Sequence, residues 1–223
     1  MAASPLRKTP TANAPQRPCI QVVDDDAGIQ NVFRILGEQM GYDVVAYRSV
    51  AEFEARVGPD RHGCFVFDLM LPDGTGLDLL RHLVSLGNDM PVVFMSGMGG
   101  IAEAVQAVKL GSIDYLEKPF EVAQMKQLLA RAVELDLERR RRAEEVATLE
   151  CRFAQLSPRE REVMELVVQG AANKEVAARL QLSPKTVEVH RANVMRKTGA
   201  ETLAELVRMH VALSEAHAST PVA

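Results

Sequence analysis

The sequence predicts an α/β domain with a parallel sheet, followed by a small all-helical domain. Five short apolar runs lie within residues 18–137; they are rich in Val, Ile or Phe and show no clear polar alternation. Strands that are buried on both faces of a parallel sheet have this pattern. Segments with helical spacing separate the runs, which is typical of a doubly wound α/β fold. The five runs are CIQVV, DVVAY, CFVF, VVFM and IDYLE.

The segments between these runs repeat apolar residues every three or four positions. This spacing places the apolar side chains on one face of a helix that packs against the sheet. The positions concerned are Ile29, Val32, Phe33, Leu36 and Met40; Leu77, Leu80, Leu83 and Val84; Ala102, Val105 and Val108; and Val122, Met125, Leu128 and Leu129.

Polar residues follow or close four of the five runs, and they are Asp24–Asp26, Asp68, Ser96 and Lys118. Right-handed crossovers bring the carboxyl ends of parallel strands to one edge of the sheet, where ligands bind, so these residues are expected to share a pocket. Clustered carboxylates favour Mg²⁺, and a lysine suits a phosphate group. One aspartate could then act as nucleophile towards a phosphoryl group. An acidic run alone would indicate a solvated turn, but the order and placement of all four stops favour the shared site.

The landmarks of this region resemble those of the receiver domain of two-component response regulators, which is a flavodoxin-like five-stranded parallel sheet. The matching motifs are VVDDD at 22–26, DLMLPDGTG at 68–76 and EKPF at 117–120. The resemblance implies that Asp68 accepts phosphate from a histidine kinase, that Ser96 hydrogen-bonds to the phosphoryl group and that Lys118 pairs with it. Tyr115 and Ser96 would act as switch residues, and Lys118–Pro119 would be a cis peptide. The implied Mg²⁺ ligands are Asp24, Asp25, Asp68 and the main-chain carbonyl of Met70.

Two features depart from the usual receiver pattern. The segment Ser96-Gly97-Met98-Gly99-Gly100 lacks the His and Asp that follow the hydroxyl residue in the closest relatives. Methionine also occupies the positions two residues beyond Asp68 and two beyond Ser96, beside the path of the hydrolytic water in this family. Because two flexible apolar side chains would crowd and dry that path, we expect slow loss of phosphate.

The second half of the chain has the signals of short helices. Ser157 and Pro158 begin one helix, which runs to about residue 169 and is closed by Gly170. Asn173 is expected to cap the short helix NKEVAARL, and residues 181–183 connect it to a second helix that ends at Gly199. Two short helices joined by three or four residues predict a helix-turn-helix, although a helical bundle with a solvated basic face would have a similar pattern.

The long motif LSPREREVMELVVQGAANKEVAARLQLSPKTVEVHRANVMRKTGA resembles the DNA-binding domain of LuxR-type regulators, and most closely the FixJ subgroup. The resemblance places Glu188, Val189 and Ala192 against base edges of double-stranded DNA. Phosphate contacts are expected from positions that fix register without reading sequence, namely Lys185, Thr186, Arg191 and Lys197. Val187, Met195 and Val194 are expected in the core, and His190 suits either role, with packing favoured.

A helix is predicted to continue past residue 137 and to connect the two domains. Its heptad positions form an apolar seam that two arginines, Arg139 and Arg142, interrupt. A solvated helix whose ends pack on their own domains is the simpler interpretation; the alternative is a weak coiled coil that forms on phosphorylation. The seam consists of Met125, Leu128, Ala132, Leu135, Arg139, Arg142, Val146, Leu149, Phe153 and Leu156.

The net charge of the sequence also differs between the two predicted domains. Residues 18–137 contain 9 Lys or Arg and 18 Asp or Glu, a net charge of −9, whereas residues 151–213 contain 10 and 7, a net charge of +3. An acidic module joined to a basic one suits metal and phosphate chemistry in the first and nucleic-acid binding in the second. The predicted boundaries are a disordered tail at 1–17, the receiver at 18–137, a linker helix at 138–155, the helix-turn-helix domain at 156–214 and a flexible tail at 215–223.

The lack of a recognisable targeting signal and the cysteine usage together predict a cytoplasmic protein. The first 17 residues contain no hydrophobic segment of a signal peptide, and no apolar stretch is long enough to span a membrane. The three cysteines, Cys19, Cys64 and Cys151, lack metal-ligand spacing and are expected to be buried or free thiols.

The sequence therefore predicts a transcription regulator, and not an enzyme acting on an external substrate, that is switched by phosphorylation and binds DNA as a homodimer. RNA polymerase is a further expected partner. An aspartyl-phosphate hydrolase is a rival, but such enzymes usually carry a second Asp two residues after the nucleophile, where this chain has Met70. A second rival is a DNA-binding protein whose receiver is a constitutive dimerisation module that ignores phosphate.

Overall fold

A computed structural model describes residues 17–57, 62–97 and 101–219 of the chain. The chain divides into two compact units, one ending at Arg139 and the other beginning at Arg140. The tail predicted at 1–17 lies outside the described residues, apart from Arg17. Within the described part, no helix is both long and apolar enough to cross a membrane.

The first unit is a five-stranded parallel sheet with helices between its strands, as the alternating pattern predicts. The sheet order is β2-β1-β3-β6-β7, and β4 and β5 form a separate antiparallel pair. The strands are β1 (Cys19–Val23), β2 (Asp43–Tyr47), β3 (Gly63–Asp68), β4 (Met70–Leu71), β5 (Gly74–Thr75), β6 (Val92–Ser96) and β7 (Asp114–Glu117). The helices are α1 (Ala27–Met40), α2 (Val50–Arg56), α3 (Gly76–Ser85), α4 (Ile101–Lys109) and α5 (Val122–Ala154).

The two faces of the sheet carry two separate hydrophobic clusters. On one face, Phe53 of α2 packs edge-on against Phe65 and Phe67 of β3, beside the leucines of α3. On the other face, α1 and α5 contribute the buried side chains of Phe33 and Met125. This double covering explains why the strands consist of nearly continuous apolar residues.

Some apolar positions of the predicted helices face solvent. Val84 is 54% exposed, and Val105 and Val108 on α4 are 46% and 59% exposed. The apolar spacing therefore identifies the helices correctly. However, some of the positions that it assigns to the buried face lie at the edge of that face and are exposed.

The second unit is all-helical and contains the end of α5 together with α6 (Pro158–Val168), α7 (Asn173–Leu180), α8 (Pro184–Thr198) and α9 (Leu203–Ser219). Ser157 caps α6 in a capping box with Glu160, and Ser183 caps α8 through the backbone amide of Thr186. Gly199 ends α8 in the left-handed conformation, with a φ of 77°. Of the predicted core residues of α8, Val187 and Val194 are buried and Met195 is partly buried against the same cluster.

The prediction that Asn173 caps α7 is wrong. Ala172 occupies the cap position, and its backbone amide donates to the Glu175 carboxylate. Asn173 is the first residue of the helix itself, so its side chain is free to contact another helix.

The structure agrees with the predicted linker helix but corrects the predicted C-terminal tail. The helix predicted to continue past residue 137 does so, because α5 is one helix from Val122 to Ala154. Its apolar positions near the end, among them Phe153, are buried in the core of the second unit together with Leu156. At the C-terminus, α9 continues to Ser219, beyond the predicted tail boundary at 215, because Leu213 is buried and the following residues favour helix. Residues 220–223 lie outside the described part.

Candidate phosphoacceptor pocket and nucleic-acid interface

The polar residues that close the strands meet at one edge of the sheet. Asp68 is the last residue of β3, Ser96 is the last of β6, and Asp24 and Lys118 directly follow β1 and β7. These four strands are consecutive neighbours in the sheet. The predicted convergence is therefore confirmed, whereas the chemical roles of the residues remain predictions.

Lys118 connects the two buried carboxylates of this pocket. Its Nζ donates to Asp24 Oδ2 and to Asp68 Oδ2, each at 2.6 Å. Its backbone amide donates to the Ser96 carbonyl at 2.7 Å, which continues the β6–β7 pairing beyond the strand end. The Lys118–Pro119 peptide bond is cis, as the family resemblance implies.

The carboxylates of the pocket fit a divalent cation. One oxygen from each of Asp24, Asp25 and Asp68 lies within 4.8 Å of the others. Asp26 has a different task, because its Oδ1 accepts from the amides of Gly28 and Ile29 and so caps α1. Three hard oxygen donors around one small space are the ligand set that Mg²⁺ takes.

The pKa shifts in the pocket reflect burial of charge. Burial raises the pKa of Asp24, although the hydrogen bond from Lys118 partly offsets it. Burial also works to lower the pKa of Lys118, but its hydrogen bonds to Asp24 and Asp68 outweigh that effect and raise it. Lys118 thus compensates the burial of the Asp24 carboxylate incompletely, and a divalent cation would stabilise the charged form of Asp24.

The loop after Asp68 is held by short-range contacts. Asp68 Oδ1 accepts from the Met70 amide at 3.1 Å, and the β4–β5 pair fixes the Met70 backbone opposite Thr75. A Cβ atom at Gly76 would lie 2.4 Å from the Asp68 carbonyl oxygen, so glycine is required for this close approach. The Met70 side chain is 68% exposed beside the pocket, and Met98 lies outside the described residues.

The predicted switch residues differ in their surroundings. Ser96 is buried at the end of β6. Tyr115 is half-buried against the α3 side of the sheet, and its hydroxyl is buried without a hydrogen-bond partner among the described residues. An unpaired buried hydroxyl is costly, so this position of Tyr115 is destabilised relative to one in which the hydroxyl finds a partner.

The sequence pattern did not reveal one polar residue of this edge, Gln30. Its side chain is buried on the inner face of α1, and its Nε2 donates to the main-chain carbonyls of Asp24 and Tyr47. The available signal was a polar residue in line with Phe33 and Gly37 on the buried stripe of the helix.

Helix α8 is the second helix of the predicted helix-turn-helix. Helices α7 and α8 are joined by residues 181–183, with Gln181 in the left-handed conformation at a φ of 54°. Four predicted contact residues lie on the solvent side of α8. Three of them, Lys185, Glu188 and Ala192, are exposed, and Val189 is 52% exposed although apolar. Lys185 Nζ lies 3.2 Å from Glu188 Oε2.

Three other predicted contact residues have partners within the unit. The Thr186 hydroxyl lies 2.8 Å from the Ser183 hydroxyl at the start of α8. Arg191 Nη1 donates to Asn173 Oδ1 at 2.8 Å, so the two helices of the motif are joined by these side chains. Lys197 Nζ donates to Glu160 Oε2 at 2.6 Å and to the Gln155 carbonyl at 3.1 Å. The Lys197 ammonium is therefore turned towards α6 and not towards the exposed side of α8.

The Lys197 contact dominates the titration of Glu160. The hydrogen bond from Lys197, supported by the backbone amide of Ser157, lowers the pKa of Glu160 to about 2.

His190, whose role the sequence left open, is half-buried, and its Nδ1 is buried without a partner among the described residues. That placement agrees with the packing interpretation.

Comparisons with known proteins identify both parts of the chain. A family model described as "Response regulator receiver domain" matches residues 20–130, and one described as "Bacterial regulatory proteins, luxR family" matches residues 154–210. These are the two families that the motifs resemble.

Relatives match most of the chain. The transcriptional regulatory protein FixJ of Azorhizobium caulinodans is 42% identical over 191 residues, which covers 85% of this chain and 90% of the relative. Nodulation protein W of Bradyrhizobium diazoefficiens is 40% identical over 188 residues, covering 84% of this chain and 83% of the relative. The solved structure of the response regulator StyR has a TM-score of 0.78 at 34% identity, covering 87% of this chain and 98% of StyR.

Proposed function

The chain belongs to the FixJ-like response regulators of two-component systems, and from this premise we propose that it is a transcription regulator switched by phosphorylation of Asp68. The observation that carries the proposal is the contact of Lys118 with both Asp24 and Asp68 at the carboxyl edge of the sheet. The proposed partners are a sensor histidine kinase, double-stranded DNA, a second copy of the chain and RNA polymerase. Because DNA is the target, we place the protein in the cytoplasm.

The proposed chemistry is transfer of a phosphoryl group from a kinase phosphohistidine. An Asp68 carboxylate oxygen attacks the phosphorus, the new O–P bond forms as the P–N bond breaks, and the leaving imidazole keeps the electron pair. Lys118 balances charge on the phosphoryl oxygens, and the Ser96 hydroxyl donates to one of them. Mg²⁺, held by Asp24, Asp25, Asp68 and the Met70 carbonyl, would supply further positive charge.

Loss of the phosphoryl group is expected to be slow. Met70 lies two residues beyond Asp68 and is 68% exposed. In our proposal its side chain flanks the path by which water would reach the phosphorus, and a thioether cannot orient that water. A phosphoryl half-life of seconds in the isolated protein would contradict this part of the proposal.

The switch in our proposal runs from the pocket to α4. A phosphoryl group adds negative charge and new acceptors at Asp68, which attract the Ser96 hydroxyl. Tyr115 then leaves the position in which its hydroxyl has no partner. The exposed Val105 and Val108 side chains of α4 offer apolar area for a second copy once this region reorganises.

The output in our proposal is binding of a two-part DNA site by two α8 helices. Glu188, Val189 and Ala192 would face base edges, where a glutamate can accept from cytosine N4 and apolar groups can meet a thymine methyl. Lys185, Thr186 and Arg191 would contact phosphates. The spacing of the two half-sites then follows the geometry of the dimer, and binding weakens steeply with salt.

Sedimentation velocity tests the switch directly. The protein is examined in Mg²⁺ with and without beryllium fluoride, an aspartyl-phosphate mimic, and Asp68→Asn is the control. We expect a monomer that becomes a dimer only when the wild-type protein meets the mimic. A dimer in all samples would favour the constitutive dimerisation module, and a monomer in all samples would leave assembly of the pair to DNA.

DNA binding is tested separately by selecting duplexes from a random pool with the mimic-bound protein. Enrichment of two-part sites is the expected result. Recovery of no preferred sequence would contradict the proposed readout by α8.

A further inference from the structure

Gln30 is a buried amide in the first turns of α1, directly behind the acidic pocket, and its residue is 4% exposed. Its Nε2 donates to the main-chain carbonyl of Asp24 at 2.7 Å and to that of Tyr47 at 3.2 Å. Both N–H groups of the amide thus have partners, and these partners lie at the carboxyl ends of two neighbouring strands, β1 and β2.

The Asp24 backbone is held from both sides by this arrangement. Its amide donates to the Tyr47 carbonyl at 3.0 Å, and its carbonyl accepts from Gln30. The Asp24 side chain in turn accepts from the amide of Asp26 at 2.9 Å. Asp24 and Asp25 therefore project from a segment whose main chain is held by the Tyr47 carbonyl and by the Gln30 side chain of the following helix.

Removal of the Gln30 amide would take its donor from the Asp24 carbonyl and leave the Tyr47 carbonyl with the Asp24 amide alone. A buried polar group without a partner costs about 1–3 kcal/mol, and the segment relieves that cost by moving towards water. Such movement displaces the two carboxylates relative to Asp68, which lies on a different strand. Residues that orient metal ligands in this indirect way typically change metal affinity by about 10- to 100-fold when replaced.

We propose that Gln30 is a positioning residue that holds Asp24 and Asp25 where, together with Asp68, they bind a divalent cation. The inference rests on the proposed function, which requires this cation at the pocket. Neither the sequence motif of the acidic turn nor the family resemblance assigns a role to this position.

The test compares Gln30→Met with Gln21→Met in the full-length protein. Gln21 is a matched control, because it is a buried amide of β1 whose oxygen accepts from the Tyr47 hydroxyl and not from a group of the pocket. Binding of Mn²⁺ is measured by electron paramagnetic resonance, and stability by urea unfolding. We expect Gln30→Met to weaken Mn²⁺ binding about 10-fold, and Gln21→Met to bind as the wild type does. Equal affinity in Gln30→Met and the wild type, or equal weakening in both variants, would overturn the inference.

Hydrogen exchange separates this inference from the proposed function. In the metal-free protein, the Asp26 amide should exchange faster in Gln30→Met than in the wild type or in Gln21→Met. If the wild type binds no Mn²⁺, the proposed pocket chemistry fails, and unchanged exchange at Asp26 would show separately that Gln30 does not hold the segment. If Gln30→Met does not fold, Gln30→Asn, whose amide is one carbon shorter, provides the same comparison.

Discussion

The ion pair between Glu160 and Lys197 shows how one buried carboxylate can organise a small helical domain. Glu160 is in the first turn of α6, where its Oε2 accepts from the Ser157 amide as well as from Lys197 near the end of α8. The Glu160 side chain is 6% exposed and that of Lys197 is 24% exposed. A pair so far removed from solvent is weakly screened by salt, and loss of either partner leaves the other unpaired.

The Glu160 contact predicts a pH dependence of stability. The pKa of Glu160 is lowered from 4.5 to about 2 by folding, so the folded state binds the proton more weakly than the unfolded state does. The stability that it contributes is therefore complete above about pH 4.5 and is lost as the pH falls towards 2. We expect Glu160→Gln to be less stable than the wild type at pH 7, by a margin that shrinks across this window. Urea unfolding at pH 7, 4.5 and 3 measures the margin, and a margin independent of pH would contradict the prediction.

The two lysines of α8 should behave differently in DNA binding. Lys185 is exposed and near the start of the helix, whereas Lys197 is paired within the unit. Lys185→Gln should reduce the slope of log affinity against log salt by about 0.9, the value for one phosphate contact. Lys197→Gln should leave that slope unchanged and lower the stability by about 1–3 kcal/mol. Fluorescence anisotropy with a selected duplex gives the slope, and the opposite assignment of the two effects would refute this distinction.

The sequence was least informative about the partners of individual side chains. Periodicity places Lys197 and Asn173 on particular helix faces, but their partners depend on side-chain torsions and on the packing of α6, α7 and α8. The same limit applies to Gln30, because a polar residue on a buried stripe gives no indication of which carbonyls it reaches. Strand ends are different, since backbone geometry alone brings Asp24, Asp68 and Lys118 to one edge.

At the scale of elements, the turn from β3 into α3 packs closely beside the pocket. The Gly76 backbone lies against Asp68, and an added Cβ would be 2.4 Å from the Asp68 carbonyl oxygen and 3.0 Å from Phe94 Cε1. The carbonyl is backbone and cannot move aside as a flexible side chain could. In the sequence, this glycine was noted only as the last residue of the motif DLMLPDGTG.

Replacement of this glycine should disturb both stability and phosphoryl transfer. We expect Gly76→Ala to cost about 1–3 kcal/mol through overpacking and to slow phosphorylation of Asp68 by acetyl phosphate, because the Asp68 backbone must shift. Gly97→Ala is the control at the same edge, since a Cβ there meets no atom within 4 Å. Thermal unfolding and the rate of phosphate incorporation measure the two effects. Normal rates in Gly76→Ala would show that the close approach does not position Asp68.

Helix boundaries were predictable where a local signal exists. Ser157, Ser183 and Gly199 mark ends that the structure reproduces, because caps depend on residues within one turn. The end of α9 has no such signal and depends on burial of side chains such as Leu213 by other helices. The course of α5 was indicated by its heptad spacing, which continues past residue 137.

For the molecule as a whole, the question is whether α5 pairs with a second copy as a coiled coil. This helix begins in the acidic unit and ends in the basic one. Apolar residues of its heptad seam are buried in the cores of the two units. Met125 and Ala132 are buried in the core of the first unit, and Phe153 is buried in that of the second. Arg139, in the middle of the seam, donates to the Asp89 carbonyl. These contacts support a solvated helix with packed ends over a coiled coil.

Completing the seam distinguishes these two interpretations. In the double variant Arg139→Leu with Arg142→Leu, every seam position from 125 to 156 is apolar. If coiled-coil pairing were limited only by the two arginines, this variant would dimerise without phosphorylation. Because pairing would also require side chains such as Phe153 to leave their own core, at a cost of about 3–5 kcal/mol for a large aromatic residue, we expect it to remain monomeric.

Sedimentation velocity without beryllium fluoride measures this outcome, and Arg142→Leu alone is the control that keeps the Arg139 contact with Asp89. Constitutive dimers of the double variant would establish that α5 can pair and that its arginines restrain it. A monomer that still dimerises when the mimic is added would place the pairing surface elsewhere. The exposed side chains of α4 are then the first surface to alter, because they stay available while both ends of α5 are packed.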